Sequence, residues 1–171
     1  MALHWLIGIT IILLVAMGLY MSNTETLTLY SIHKSLGLSV AIFIVLRVVW
    51  RIAQGWPEPA SQYQRWEQVL SKIVHWGLML VSIMFPVTGF MLSWMGGWEI
   101  ALWGWEIIPM TPDPEKPGYA LPLNEGAAKG AAKGHEVMGD LFLILISLHV
   151  AGALKHHVVD KDKTLKRMLG R

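Results

Sequence analysis

Four apolar stretches, each about long enough to cross a lipid bilayer, constrain this chain more than any other feature. They run over residues 2–21, 31–52, 72–94 and 136–157. Roughly 30 Å of hydrocarbon takes about 20 helical residues to span. An unpaired backbone amide is so costly in lipid that spans of this length are helices. Pro86 and the interior glycines fit that reading, because neighbouring helices can satisfy the backbone groups they free. The expected fold is all-α, an integral-membrane four-helix bundle forming one domain over residues 1–171. The first stretch is not read as a signal peptide: it lacks a basic n-region and no A-x-A-like site follows it.

Composition agrees. The chain is 54% hydrophobic and 15% charged, whereas a soluble domain carries about a quarter charged residues. A net charge of +2, with no basic patch interleaved with aromatics, argues against a nucleic-acid partner. The absence of cysteine excludes disulfides, thiolate zinc sites, iron–sulfur clusters and covalently attached c-type haem.

Basic residues alternate along the chain as a four-span topology requires. The connection at residues 22–30 has no Lys or Arg. Arg47, Arg51, Arg65 and Lys72 gather around the second connection, and Lys155, Lys161, Lys163, Lys166, Arg167 and Arg171 lie at or beyond the end of the fourth span. The connection at residues 95–134 is net acidic. The positive-inside rule therefore predicts cytoplasmic N- and C-termini and a periplasmic 95–134 loop. Trp94, Trp98, Trp103 and Trp105 read as an aromatic belt on a short interfacial helix. The GAAKGAAKG run over residues 126–134 reads as a low-complexity lead-in of marginal helicity.

Histidine inside a membrane span is costly and is a functional hypothesis by default. Seven occur: His4, His33, His75, His135, His149, His156 and His157. His135 and His149 are 149 − 135 = 14 residues apart, which on a helix places them within about 40° of each other and about 21 Å apart along the axis. His33 opens the second span level with His135, and His4 opens the first level with His149. Two transverse pairs follow, His4 with His149 and His33 with His135. Zinc prefers a tetrahedral set, and neither level offers a cysteine or an acid. A haem iron needs two opposed axial ligands and a flat apolar slot. Gly8, Gly37 and Gly139 each follow a histidine by four, on the same helix face, and Gly152 stands near that position after His149. The pattern predicts two haem b groups with His4, His33, His135 and His149 as iron ligands. Small residues also pack membrane helices together for their own sake, and the intramembrane histidines can alternatively be read as a proton path or a metal-transport route. His75 has Met79 at the glycine position and is not expected to be a ligand. Arg47, 14 residues after His33, is either a haem-propionate partner or a positive-inside anchor. Gly18 and Gly89 lie 14 residues after His4 and His75, as a remnant repeat or through shared packing needs.

The segments LHW, IHKSLG with RVVWR, HW…P-x-x-G, LWG-x-x-x-IP, GHEVMGD and SLHVAGALKHH together resemble the prokaryotic cytochrome b561 family over nearly the whole chain. The resemblance implies a transmembrane cytochrome b domain in the bacterial inner membrane, with ligands matching His4, His33, His135 and His149. It further implies electron transfer from periplasmic superoxide to ubiquinone, the activity of a superoxide:ubiquinone oxidoreductase. Alternatively, the chain is an electron-carrier or membrane-anchor subunit linking a partner dehydrogenase to the quinone pool. On that reading Lys129 and Lys133 are candidates for steering superoxide, against a plain solvated helix start. His156, His157 and Arg51 are candidates for quinone binding and proton supply, against a plain interfacial role.

Overall fold

The computed structural model describes residues 1–24, 27–56 and 61–170. Glu25 and Thr26 of the first connection, and residues 57–60 of the second, lie outside the described residues. Four long helices run up and down: α1 (Ala2–Thr24), α2 (Leu27–Gln54), α3 (Arg65–Met95) and α4 (Glu125–Val158). Each is long and apolar enough to cross a membrane. A short helix, α5 (Thr164–Met168), follows, and a β-hairpin, β1 (Ile100–Leu102) with β2 (Trp105–Ile108), interrupts the link between α3 and α4.

The distribution of apolar side chains is that of a protein in lipid. The core is a thin stripe: Ile7, Ile11 and Leu14 of α1, Val40 and Ile44 of α2, Val81 of α3 and Phe142 of α4. The α1 members follow the spacing of one helix face. Far more large apolar side chains point outward, among them Ile12, Leu13, Ile42, Val45, Leu80 and Ile144. In water that surface would aggregate; in hydrocarbon it carries no penalty, and packing depends on close van der Waals fit. The most extensive helix pairing is α3 with α4. At its centre a Cβ on Gly77 would meet Leu145 Cδ1 at 3.0 Å, so the two backbones approach as closely as that leucine allows.

The helix ends have defined chemistry. Gln64 and Glu67 form a reciprocal capping box at the start of α3, and Asn124 Oδ1 accepts from Ala127 N at 3.0 Å at the start of α4. The GAAKGAAKG segment is helical from its first residue, steadied by an ion pair of Lys129 with Glu125, 2.6 Å, and of Lys133 with Glu136, 2.8 Å. At the other end of α3 the chain turns through Gly97, with φ +72° and the Leu121 carbonyl oxygen 2.2 Å from where a Cβ would stand. Only glycine fits there. The turn is tied down by Thr111 N to Gly97 O, 2.8 Å, and Asn124 N to Met95 O, 3.1 Å.

Trp94 of the tryptophan cluster belongs to the end of α3, while Trp103 and Trp105 lie in a hairpin rather than the expected interfacial helix. Trp103 and Gly104 form its two-residue turn, with φ of 52° and 89°, the positive-φ pair that matches strand twist. A left-handed tryptophan costs roughly 1–2 kcal/mol. Two hydrogen bonds to α2 hold it there, Trp103 N to Ser35 Oγ at 3.0 Å and Trp103 Nε1 to Ser39 Oγ at 3.0 Å. Lys34 Nζ donates to Glu99 O at 2.6 Å just before the hairpin. The hairpin is thereby clamped along α2 beside His33.

The Gly77–Leu145 contact yields a stability prediction. Gly77→Ala should be tolerated, because the tip of Leu145 can turn away, whereas Gly77→Ile should cost roughly 1–3 kcal/mol by overpacking. Thermal unfolding in detergent micelles measures both, and adding Leu145→Ala to Gly77→Ile should recover part of the loss.

Candidate functional site

The bundle brings the four histidines together in pairs. At the hairpin end the His33 and His135 ring centroids are 6.2 Å apart, with the planes at 73°. At the end holding the termini His4 and His149 are 6.0 Å apart, at 71°. With a metal–nitrogen bond of about 2 Å and roughly 1.2 Å from nitrogen to ring centre, imidazoles on opposite sides of one metal ion have centroids about 6.4 Å apart. Both pairs stand near that separation.

One nitrogen of two of these rings is already engaged. The Thr88 hydroxyl donates to Met84 O at 2.7 Å and meets His135 Nδ1 at 2.9 Å. Its oxygen therefore accepts from Nδ1–H, leaving the Nε2 lone pair of His135 uncommitted, the arrangement a metal-ligating histidine requires. His33 Nδ1 is buried with no hydrogen-bond partner among the described residues, a position that costs about 1–3 kcal/mol if nothing occupies it. Arg47 donates to His4 Nδ1 at 2.9 Å, so Arg47 reaches the terminal end of the bundle, as its spacing from His33 requires. Coordination through His4 Nε2 requires Arg47 to release Nδ1. His75 donates from Nδ1 to Ser71 O at 2.6 Å, and its ring lies edge-on to His149 at 5.1 Å. That is closer than opposed ligation allows.

The glycines divide into two groups. A Cβ on Gly8, Gly37, Gly139 or Gly152 would meet nothing within 4 Å, so the helix faces beside all four paired histidines are open. Gly18 and Gly89 do something else: a Cβ would come 3.7 Å from His33 Cε1 and 3.3 Å from His135 Cε1. They seat the two imidazoles of the hairpin-end pair. Their 14-residue spacing was visible in the sequence, and at both positions the glycine gives a ring on a neighbouring helix its clearance. Thr88 carried no sequence signal at all.

The profile of the prokaryotic cytochrome b561 family matches residues 1–171. The chain is a member of the prokaryotic cytochrome b561 family. It is 31% identical over 180 residues to cytochrome b561 homolog 2 of Escherichia coli strain K12, covering 99% of this chain and 88% of that protein. Cytochrome b561 homolog 1 of the same strain is 24% identical, with 99% and 93% covered. A protein of Yersinia pestis named probable superoxide oxidase CybB is 23% identical, with 98% and 91% covered. The chain is thus a multi-pass protein of the bacterial inner membrane, and the family's work is electron transfer with b-type haem. Paired imidazoles with open glycine faces and an orphaned His33 Nδ1 fit such a group.

The remaining candidates lie at the terminal end and the α4 entrance. Lys129 and Lys133 are exposed and each is paired with a glutamate. Arg51 donates to Gly55 O at 3.0 Å and stacks over Trp56 at 5.1 Å; among the described residues no hydrogen bond or ion pair joins it to His156 or His157. His157 Nδ1 is buried and unpartnered. His156 Nδ1 lies 2.7 Å from Asp160 Oδ2 and 3.9 Å from Asp162 Oδ2. These three side chains could surround a metal ion, but Lys155 Nζ already stands 2.8 Å from Asp160 and balances its charge. A surface cavity of about 640 Å³, lined by Gln64, Arg65, Trp66, Val69, Leu70 and Ile73, opens on α3 and contains no histidine.

The segment after α4 folds back over this end. Tyr63 OH hydrogen-bonds Asp162 and stands 3.1 Å from Thr164 Oγ1. Trp5 Nε1 donates to Met168 O at 2.9 Å. The hydrogen bond from Lys155, then that with His156, holds the Asp160 carboxyl below its ordinary value. Burial pushes Asp162 up, but the Tyr63 and Thr164 hydrogen bonds outweigh it and leave Asp162 low as well. A carboxyl lowered on folding stabilises above the usual carboxylate range and ceases to do so as pH falls through the folded value. Amides of α5 should therefore be protected from hydrogen exchange near neutrality and lose that protection toward pH ~3. Protection that persisted there would mean these carboxylates do not hold the tail.

Proposed function

We propose that this chain is a di-haem superoxide:ubiquinone oxidoreductase, with its termini in the cytoplasm, that takes electrons from periplasmic superoxide. The observation that carries the proposal is the pair of imidazole couples, 6.2 Å and 6.0 Å apart, at opposite ends of one bundle. His33 and His135 hold the periplasmic haem, and His4 and His149 the cytoplasmic one. Each haem when bound supplies reversible one-electron transfer. Two histidines per iron leave no open position, which suits electron transfer rather than oxygen binding.

The protein's own residues do the rest. Thr88 fixes the tautomer and orientation of His135. Gly18 and Gly89 give the two periplasmic rings room, and Gly8, Gly37, Gly139 and Gly152 leave flat space on the four ligand helices. Arg47 moves from His4 to a propionate, neutralising it in the membrane. Lys129 and Lys133 are the candidates for drawing superoxide in, weakened by their own glutamate partners, since exposed ion pairs leave little net field. On the cytoplasmic side His156, two turns beyond His149, supplies protons to ubiquinone, with His157 and Arg51 as neighbours of the quinone. The Yersinia pestis relative's name supports the superoxide reading.

The visible spectrum of detergent-purified protein during an enzymatic superoxide pulse tests the whole. Reduced b-type bands should grow at once and be reversed by ubiquinone. Bands indifferent to superoxide would favour the electron-carrier alternative. His33→Ala or His135→Ala should remove one haem, His4→Ala or His149→Ala the other, and His75→Phe neither, as counted by pyridine haemochrome. His156→Gln should slow ubiquinone reduction while leaving haem reduction by superoxide intact. A quinone rate equal to wild type would remove His156 from the reaction.

A further inference from the structure

His156 is embedded in a continuous set of ionisable groups drawn from three segments of the terminal end. Its Nδ1 is 2.7 Å from Asp160 Oδ2. The same oxygen is 2.8 Å from Lys155 Nζ, and Lys155 Nζ also contacts Glu67 of α3. Tyr63, in the segment before α3, stacks on the His156 ring at 4.3 Å and bonds Asp162 through its hydroxyl. Asp162 N in turn donates to the His156 carbonyl at 3.1 Å. The groups facing His156 are therefore Lys155 of its own helix, Glu67 of α3, Tyr63, and Asp160 and Asp162 of the turn into α5.

The chemistry of this arrangement is specific. A carboxylate accepting from Nδ1–H fixes the imidazole tautomer and favours the protonated ring, whose Nε2–H then points away from the carboxylate. His156 is 7 residues from His149, on the same helix face and roughly 10 Å further along the axis. Tyr63 limits how the ring can tilt. Glu67 and Lys155 connect Asp160 to a second element, with the Lys155 side chain 39% exposed and that of Glu67 12%. The cluster thus runs from a half-exposed lysine inward to an imidazole on the ligand face.

We propose that Asp160 is a positioning residue that orients His156 as a proton donor, and that Lys155 with Glu67 holds Asp160 in place. This rests on the quinone reading above and adds what aims its proton donor. Oxidation of two superoxide anions to two molecules of oxygen releases two electrons; ubiquinone takes both, with two protons, to become ubiquinol. His156 passes those protons one at a time from Nε2, which regains its proton from solvent between the two while Nδ1–H stays on Asp160.

The test uses full-length haem-loaded protein and a short-chain ubiquinone. Asp160→Asn should leave the haem spectrum and its reduction by superoxide unchanged. It should slow quinone reduction roughly tenfold or more. Independently of turnover, nitrogen-15 NMR of histidine-labelled protein should show the His156 proton held on Nδ1 in wild type and a mixture of tautomers in Asp160→Asn. Asp160→Glu should recover part of the rate and of the tautomer preference. Should His156→Gln slow the quinone step while Asp160→Asn leaves both the rate and the His156 tautomer as in wild type, the positioning role is overturned and the quinone reading survives. If His156→Gln itself is without effect, the quinone reading fails first.

Discussion

A neutral imidazole in hydrocarbon has one nitrogen that donates and one that accepts, and lipid satisfies neither. Several of the rings in this bundle have one nitrogen settled locally. Thr88, Ser71, Arg47 and Asp160 take up Nδ1 of His135, His75, His4 and His156 respectively. What is left over, above all at the His33–His135 pair, is coordinating capacity aimed across the gap between two helices. That gap is set by backbone approach, hence in part by glycine: a Cβ at Gly89 would crowd the His135 ring at 3.3 Å, and one at Gly18 would just touch His33 at 3.7 Å. Helix packing and the placing of the imidazoles are one problem in this fold.

The two ends of the bundle solve it differently. At the hairpin end the pair is enclosed by rigid parts: α3 ends at a turn only glycine can make, and the hairpin is bonded to Ser35 and Ser39 of α2. At the other end three imidazoles gather, His4, His75 and His149, with an arginine among them and a charged tail folded over the top. The first end is built to stay fixed. The second holds groups that can exchange partners.

Much of this was legible in the sequence because its periods are strong. Spans long enough for a bilayer, and histidines 14 residues apart, fix the helices and the pairing of faces by arithmetic alone. The hairpin was missed because tryptophan-rich segments near a membrane surface read as interfacial helices, and the deciding signal, Trp103-Gly104 in a positive-φ turn, depends on a tryptophan adopting a conformation it rarely takes. Thr88 was invisible because a threonine in an apolar span ordinarily bonds its own helix, and this one does that as well. His156 stood out as a histidine, but Asp160 drew no reading; its contact with His156 depends on a turn that brings residue 160 back onto residue 156.

The contact between Trp5 and Met168 joins residues 163 positions apart. A ribosome delivers the first of these long before the second. The His33–His135 pair is therefore complete in the chain while the turn bearing His4 still waits for its last restraint. Assembly has a built-in order: one compartment of the bundle can be closed during synthesis, and the other is sealed only when the final helical turn arrives.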